Sequence, residues 1–194
     1  MASDPVPYAA QITLRVTTAE NLTAILALEV AADQREHYPR SNAYSIAEAH
    51  CPHDAIDPDV DGLDASLTRS PKSITTLTPA PDAWFRGIYA GETPVGFVLL
   101  SLDPDQSEYS VWRFMIDQRF QHRGYGSRAM YQVIDYAMTL PNAQELTLSH
   151  LRGNERFFHF CLHLGFRYTG AEITPGDLLM KLDLVDQASA ARQE

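Results

Sequence analysis

Apolar positions change rhythm early in the chain. Ile12, Leu14 and Val16 alternate with Thr13 and Arg15, the two-residue period of a half-buried strand. Leu22, Ile25, Leu26 and Val30 then recur at helical spacing, and Thr17 with Glu20 reads as a capping box at the start of that helix. The polar stretch from Gln34 to Asn42 carries Pro39, which ends or kinks the helix. Ser45 and Glu48 mark the start of a second, short helix.

Residues 51–83 lose all periodicity. Pro52, Pro58, Pro71, Pro79 and Pro81 are spread through them with Asp54, Asp57, Asp59, Asp61 and Asp64, and a loop this long inside a compact domain reads as an insertion. Asp57 to Gly62 resembles the opening of a calcium loop, but its twelfth position is Thr68 where a bidentate Glu is needed. His50, Cys51 and His53 lack a fourth zinc ligand at suitable spacing. Both read as polar loop, and no metal is expected.

Order returns at Trp84. Phe85–Ala90, Val95–Leu102 and Glu108–Ile116 read as three strands joined by two tight turns, an antiparallel meander. Ala129, Met130, Val133, Ile134, Ala137 and Met138 share one helical face, ending before Pro141. Leu146 and Leu148 form a short strand. Asn154 to Leu164 is an aromatic-rich helix stopped by Gly165, and Phe166, Tyr168, then Leu178, Met180 and Leu182 close with two strands. The fold class expected is α+β, with a mixed, mainly antiparallel central sheet flanked by helices. One domain spans 11–183, with the 51–83 insertion inside it and a polar, fraying tail over 184–194.

Composition narrows the function. The 194 residues are 45% hydrophobic and 21% charged, enough for a full core. Fifteen Lys and Arg stand against 25 Asp and Glu, a net charge of −10 that disfavours nucleic acid and favours a cationic small molecule. Two cysteines make no disulfide framework. The N-terminus shows no signal pattern, and no apolar run reaches the roughly 18 residues of a membrane span. A cytoplasmic protein without a membrane partner is expected.

The sharpest chemical signal is Gln121-His122-Arg123-Gly124-Tyr125-Gly126-Ser127, between the meander and the next helix. Two glycines permit a tight turn and close approach of a ligand, and amides at a helix N-terminus favour an anion. The segment suits a pyrophosphate. It is neither a dinucleotide fingerprint, which opens a βαβ unit, nor a Walker loop, which needs Gly-Lys-Ser/Thr.

Gln121-x-x-Gly124-x-Gly126 resembles the Arg/Gln-x-x-Gly-x-Gly/Ala signature of the GNAT superfamily of N-acetyltransferases. Trp112 to Asp117 is similar to that family's pantetheine-binding strand, and Asn154-Glu155 with Gly165-Phe166 to its other signature. Ser41 to Ala49 and Trp112 to Asp117 resemble the bacterial spermine/spermidine or diamine acetyltransferase-like branch. The resemblance implies a GNAT-like sheet and direct transfer of an acetyl group from acetyl-CoA, as co-substrate, to a small primary amine, a polyamine or diamine among them. An amine-bearing antibiotic as acceptor and a non-catalytic acyl-CoA-binding regulatory domain are the alternatives. A homodimer is compatible with it.

The resemblance also implies roles. The strand should splay from its neighbour, so that Phe114 and Ile116 pair their main chain with pantetheine and an amide near Phe114, Met115 or Ile116 polarises the thioester. Gln121 and the amides of His122, Arg123, Gly124, Tyr125, Gly126 and Ser127 would hold the pyrophosphate, with charge from Arg123 or Arg128. Asn154 would contact the pantetheine arm or serve as a helix cap. Many members protonate the leaving thiolate from a Tyr seven residues after that Asn. Here the position is Cys161, a candidate acid that also reads as a buried packing residue, with Tyr168, His159, His163 or water as substitutes. Glu108 is the candidate base, acting through water, and also reads as a solvated turn residue.

Overall fold

In a computed structural model of the chain, residues 7, 9–38, 41–50, 82–185 and 187 are described. The alternating segments form strands: β1 (Ile12–Val16), β2 (Asp82–Ala90), β3 (Thr93–Asp103), β4 (Glu108–Ile116), β5 (Glu145–Leu151), β6 (Arg167–Glu172) and β7 (Asp177–Asp183). The helices are α1 (Leu22–Leu26), α2 (Asn42–His50), α3 (Tyr125–Ala137) and α4 (Glu155–His163). The strands make one seven-stranded sheet in the order β1-β2-β3-β4-β5-β7-β6, antiparallel throughout except where β4 meets β5. The architecture is the α+β one expected from the sequence, with the meander intact.

Two layers of core cover the sheet. On one face, Val98, Leu100, Val111, Leu146, Leu148 and Met180 pack with α3 residues Ala129, Met130 and Val133 and α4 residue Cys161. On the other, Ile25, Leu28, Val30, Phe97, Leu99 and Met115 pack together, with Tyr38, Ile46 and Trp112 partly buried against them. Burying this apolar surface is the main force holding the helices to the sheet.

The first helix differs from its sequence pattern. It ends at Leu26, although Leu28 and Val30 remain buried. Tertiary bonds claim the backbone there: Asp117 Oδ2 accepts from the Glu29 amide at 3.0 Å, and the Gln118 amide donates to the Glu29 carbonyl at 2.9 Å. Nor does the capping box from Thr17 to Glu20 form. Asn21 is the N-cap residue, its side chain accepting from the Thr18 amide and donating to the Val16 carbonyl, while Thr17 Oγ1 is buried without a hydrogen-bond partner. The second helix begins at Asn42, three residues before the Ser45 start, with Tyr44 N donating to Ser41 Oγ.

Most of the expected insertion, residues 51–81, lies outside the described residues, with the calcium-like and Cys51–His53 segments inside it. Ala83, expected as loop, is already in β2. The expected polar tail begins one residue late: Leu184 is buried, and its amide donates to the Gln144 carbonyl at 2.8 Å. Among the described residues no helix is long and apolar enough to cross a membrane.

Candidate active site

Two departures from a regular sheet build the site. The first is a bulge in β4. Leu99 pairs with Arg113 and Leu100 with Val111, which leaves Trp112 as the extra residue. The bulge makes Trp112 and Arg113 consecutive residues of the same face: Trp112 joins the layer around Met115, and Arg113 Nε donates to Ser45 Oγ on α2 at 3.2 Å. Phe114 and Ile116 are thereby turned to the α3 side. The second is a splay. The parallel β4–β5 ladder holds only at Ser110–Thr147 and Val111–Leu148. From Trp112 onward, among the described residues, β4 has no strand partner on that side.

A cleft of about 330 Å³ opens there. Its walls are the end of β4, the loop before α3, the start of α4 and the turn between α1 and α2. Phe114 stacks on Phe160 of α4 at 5.8 Å, and Phe160 meets Phe157 at 5.7 Å, so the middle of the cleft is apolar.

At one end sits the N-terminus of α3. Gly124 is its N-cap in the left-handed region at φ 68°, a conformation that a side chain disfavours, and it brings no capping group. The first amides of the helix, which no intrahelical acceptor can satisfy, therefore lie at the cleft with the positive end of the dipole. His122 is also left-handed, at φ 60°. Gly126 is not in that region. A Cβ there would stand 3.5 Å from Ile116, 3.6 Å from Phe160 and 3.8 Å from Phe114, filling space in the cleft rather than straining the backbone. Of the two glycines that permit a tight turn, only Gly124 uses a left-handed φ.

Phe114, Met115, Ile116, Gln121, His122, Gly124, Tyr125, Gly126, Ser127 and Asn154 all line this one cleft. Tyr125 contributes with its hydroxyl turned away, donating to the Pro7 carbonyl at 2.8 Å. Asn154 is the N-cap of α4 and accepts from the Phe157 amide at 3.2 Å. Arg123 and Arg128 are not among the lining residues. Arg123 donates to the Arg119 carbonyl, and Arg128 Nη1 donates to the Ala10 carbonyl at 2.8 Å, pinning the segment before β1.

The two residues expected to move protons are elsewhere. Cys161 is fully buried in the α3–α4 core, and that burial pushes its thiol up to about 12. Such a thiol keeps its proton and has no opening to the cleft. Glu108 is exposed at the far end of β4, opposite Asp103 beside the hairpin turn. It is six residues from Phe114, or about 20 Å along an extended strand. Tyr168, His159 and His163 are exposed and also outside the lining.

Several lining residues had no sequence signal. Gln34, His37 and Tyr38 come from the polar turn before α2, and Arg156 from the first turn of α4. Arg156 Nη2 lies 3.3 Å from His122 Nε2, across the cleft mouth, and Nη1 lies 3.7 Å from Asp33 Oδ2. Asp117, buried just past β4, fixes this geometry. Burial alone would raise its pKa, but the Arg119 guanidinium and the amides of Arg119 and Glu29 hold its carboxyl below the ordinary value.

The chain is similar to several known proteins. The chain is 28% identical over 104 residues to a spermine/spermidine N(1)-acetyltransferase of Bacillus subtilis strain 168, covering 50% of this chain and 68% of that one. In structure it resembles a spermidine N-acetyltransferase from Vibrio cholerae crystallised with CoA and spermine, at 15% identity and a TM-score of 0.62, covering 90% of this chain and 96% of that one. It also resembles the ribosomal-protein-S18-alanine N-acetyltransferase of Escherichia coli, at 12% identity and a TM-score of 0.58, covering 90% and 94%. The two structural likenesses speak to the fold. A family model described as the acetyltransferase (GNAT) family matches residues 44–166, and the chain belongs to that family.

Proposed function

We propose that the protein transfers the acetyl group of acetyl-CoA directly to a primary amine of a small molecule, a polyamine or diamine being the acceptor class. The observation that carries this is the end of the β4–β5 ladder at Val111–Leu148, beyond which the end of β4 and the α3 N-terminus line one cleft. An extended pantetheine arm fits beside the unpaired edge of β4, with its diphosphate at the α3 amides and Arg156 facing it. The thioester carbonyl then meets an amide of the 114–116 segment, where developing negative charge is stabilised. Asn154 faces the arm while capping α4. The named activity of the Bacillus relative and the net charge of −10 support a polycationic acceptor.

Cys161 is a packing residue in this reading, and Glu108 takes no direct part. The burial of Cys161 gives one point to a second reading, a domain that binds acyl-CoA without turnover, since the position expected to supply the acid cannot do so. Calorimetry with acetyl-CoA, followed by release of free CoA thiol with spermine, spermidine, short diamines and an aminoglycoside, separates these readings. Thiol release with polyamines above the hydrolysis background supports the proposal. Release only with the aminoglycoside moves the acceptor class, and binding without release leaves the non-catalytic domain.

A further inference from the structure

β4 divides the lining of the cleft into two sides. Phe114 and Ile116 turn to the α3–α4 side, where Phe157 and Phe160 also lie. Met115 turns to the other side, and the apolar lining there is Met115 itself with Val30 and Tyr38 from the turn between α1 and α2. In the acetyl-transfer reading the diphosphate lies at the α3 amides and Asn154 faces the arm, so the arm runs on the α3–α4 side. The thioester carbonyl takes an amide of the 114–116 segment, whose central residue is Met115. The acetyl methyl is bonded to that same carbonyl carbon. With the arm on one side of β4, the methyl projects to the other, against Met115, Val30 and Tyr38.

These three side chains are anchored from behind. The residue before Val30 is tied to the end of β4 twice: the Glu29 amide donates to Asp117 Oδ2 at 3.0 Å, and its carbonyl accepts from the Gln118 amide at 2.9 Å. Tyr38 Oη donates to Asn42 Oδ1 at 3.3 Å, and Asn42, 2% exposed, donates its own Nδ2 to the Ile25 carbonyl at 3.0 Å. Met115 packs in one layer with Phe97 and Leu99, both fully buried, and β3 comes so close that a Cβ at Gly96 would collide with the Met115 carbonyl. A close-packed wall of this kind yields little, and an added methylene must push one of its members off its rotamer.

Resting on the acetyl-transfer reading above, we infer that Met115, Val30 and Tyr38 select the acyl group: they leave room for a methyl and exclude propionyl and longer chains. The chemistry is the same for every acyl group. The amine nitrogen bonds to the acyl carbon, the carbon–sulfur bond breaks, and the proton shed by the nitrogen ends on the CoA sulfur. Selection therefore acts on fit at the thioester, where one methylene is worth about 10- to 200-fold in kcat/KM.

The test compares acetyl-, propionyl- and butyryl-CoA, with whichever amine supports turnover, by the release of CoA thiol. The parent should use propionyl-CoA at least about tenfold less well than acetyl-CoA in kcat/KM, and butyryl-CoA less well again. Met115→Ala and Val30→Ala each remove volume from the wall and should bring propionyl-CoA within about threefold of acetyl-CoA. Both thioesters are read in one preparation, so the ratio still reports when a variant is less stable. Leu162→Ala, on the exposed face of α4, is the control and should keep the parent ratio. A rise in either truncation with the control unmoved supports the assignment. A parent preference for acetyl-CoA under about tenfold, or a ratio that neither truncation raises, overturns it. Failure of the acetyl-transfer reading looks different: the parent protein then releases no thiol from any of the three thioesters with any amine.

Discussion

The Gln121 side chain donates to Gln34 Oε1 at 2.7 Å, joining the loop before α3 to the turn between α1 and α2. The same nitrogen donates to the Ile116 carbonyl at 2.8 Å, and Gln34 Oε1 also accepts from the Ala31 amide at 3.3 Å. Three walls of the cleft are thus held to one another through two side-chain amides. Gln121→Ala removes these bonds from a half-buried position where each is worth about 1 kcal/mol. Calorimetry should show acetyl-CoA binding weakened about tenfold, because the α3 amides lose their fixed register to β4. An unchanged Kd in a folded variant would detach this amide pair from the binding site.

The two loop glycines should respond with opposite signs. Gly124→Ala forces a side chain into the left-handed region, and the protein should lose about 1 kcal/mol of stability. Gly126→Ala places alanine in the first turn of α3 and should raise stability, by up to about 1 kcal/mol. Yet its new methyl stands between Ile116, Phe160 and Phe114, so acetyl-CoA should bind more weakly to the more stable protein. Thermal melts with and without acetyl-CoA measure both effects. A Gly126→Ala protein that keeps full affinity would mean the ligand does not pass that point.

Cys161→Ala should lower stability on the order of 1 kcal/mol, for the small cavity left by the sulfur, and should change kcat by less than about threefold. The native thiol, buried and with its pKa pushed up to about 12, should resist a thiol-specific disulfide reagent until the protein unfolds. A hundredfold fall in kcat for the alanine variant, or rapid labelling of the native protein, would return the thiol to the reaction.

Asp117 predicts how stability depends on pH. Its folded pKa lies below the unfolded value of about 3.9, so its ionised form contributes fully above that value and the contribution fades as pH falls toward the folded pKa. Asp117→Asn should therefore cost roughly 2 kcal/mol at pH 7, from charge-assisted bonds to Arg119 and two amides. The gap between the two proteins should narrow as pH falls below 4. A gap of constant size across that range would show that the charge is not what Asp117 supplies.

The sequence makes the sheet and the α3 end of the cleft readable, because both depend on local patterns. Two-residue alternation marks β2, β3 and β4, and a glycine pair at the start of an amphipathic helix marks the loop. The misses share a different cause. Leu28 and Val30 keep helical spacing while their backbone is taken by Asp117 and Gln118, which are distant in sequence. Tyr38 and Gln34 belong to a polar turn with no periodicity, and only folding brings them beside Met115 and Gln121. Cys161 was found by counting from Asn154, but counting along a helix does not say which face meets the cleft. Here that face is given to Phe157 and Phe160, and Cys161 faces the core.

The extra residue in β4 works as a phase shift written into the chain. Every residue after Trp112 shows the face opposite to the one that unbroken alternation from Val111 would give it. Deleting Trp112 would remove that extra residue: Val111 and Arg113 would alternate regularly, and Phe114, Met115 and Ile116 would keep their present faces and β3 partners. A one-residue insertion after Arg113 would instead exchange the sides of Phe114 and Ile116 with that of Met115, and the cleft would lose its aromatic wall with no loss of hydrophobic content. Register, more than composition, is therefore the property of β4 that the site depends on.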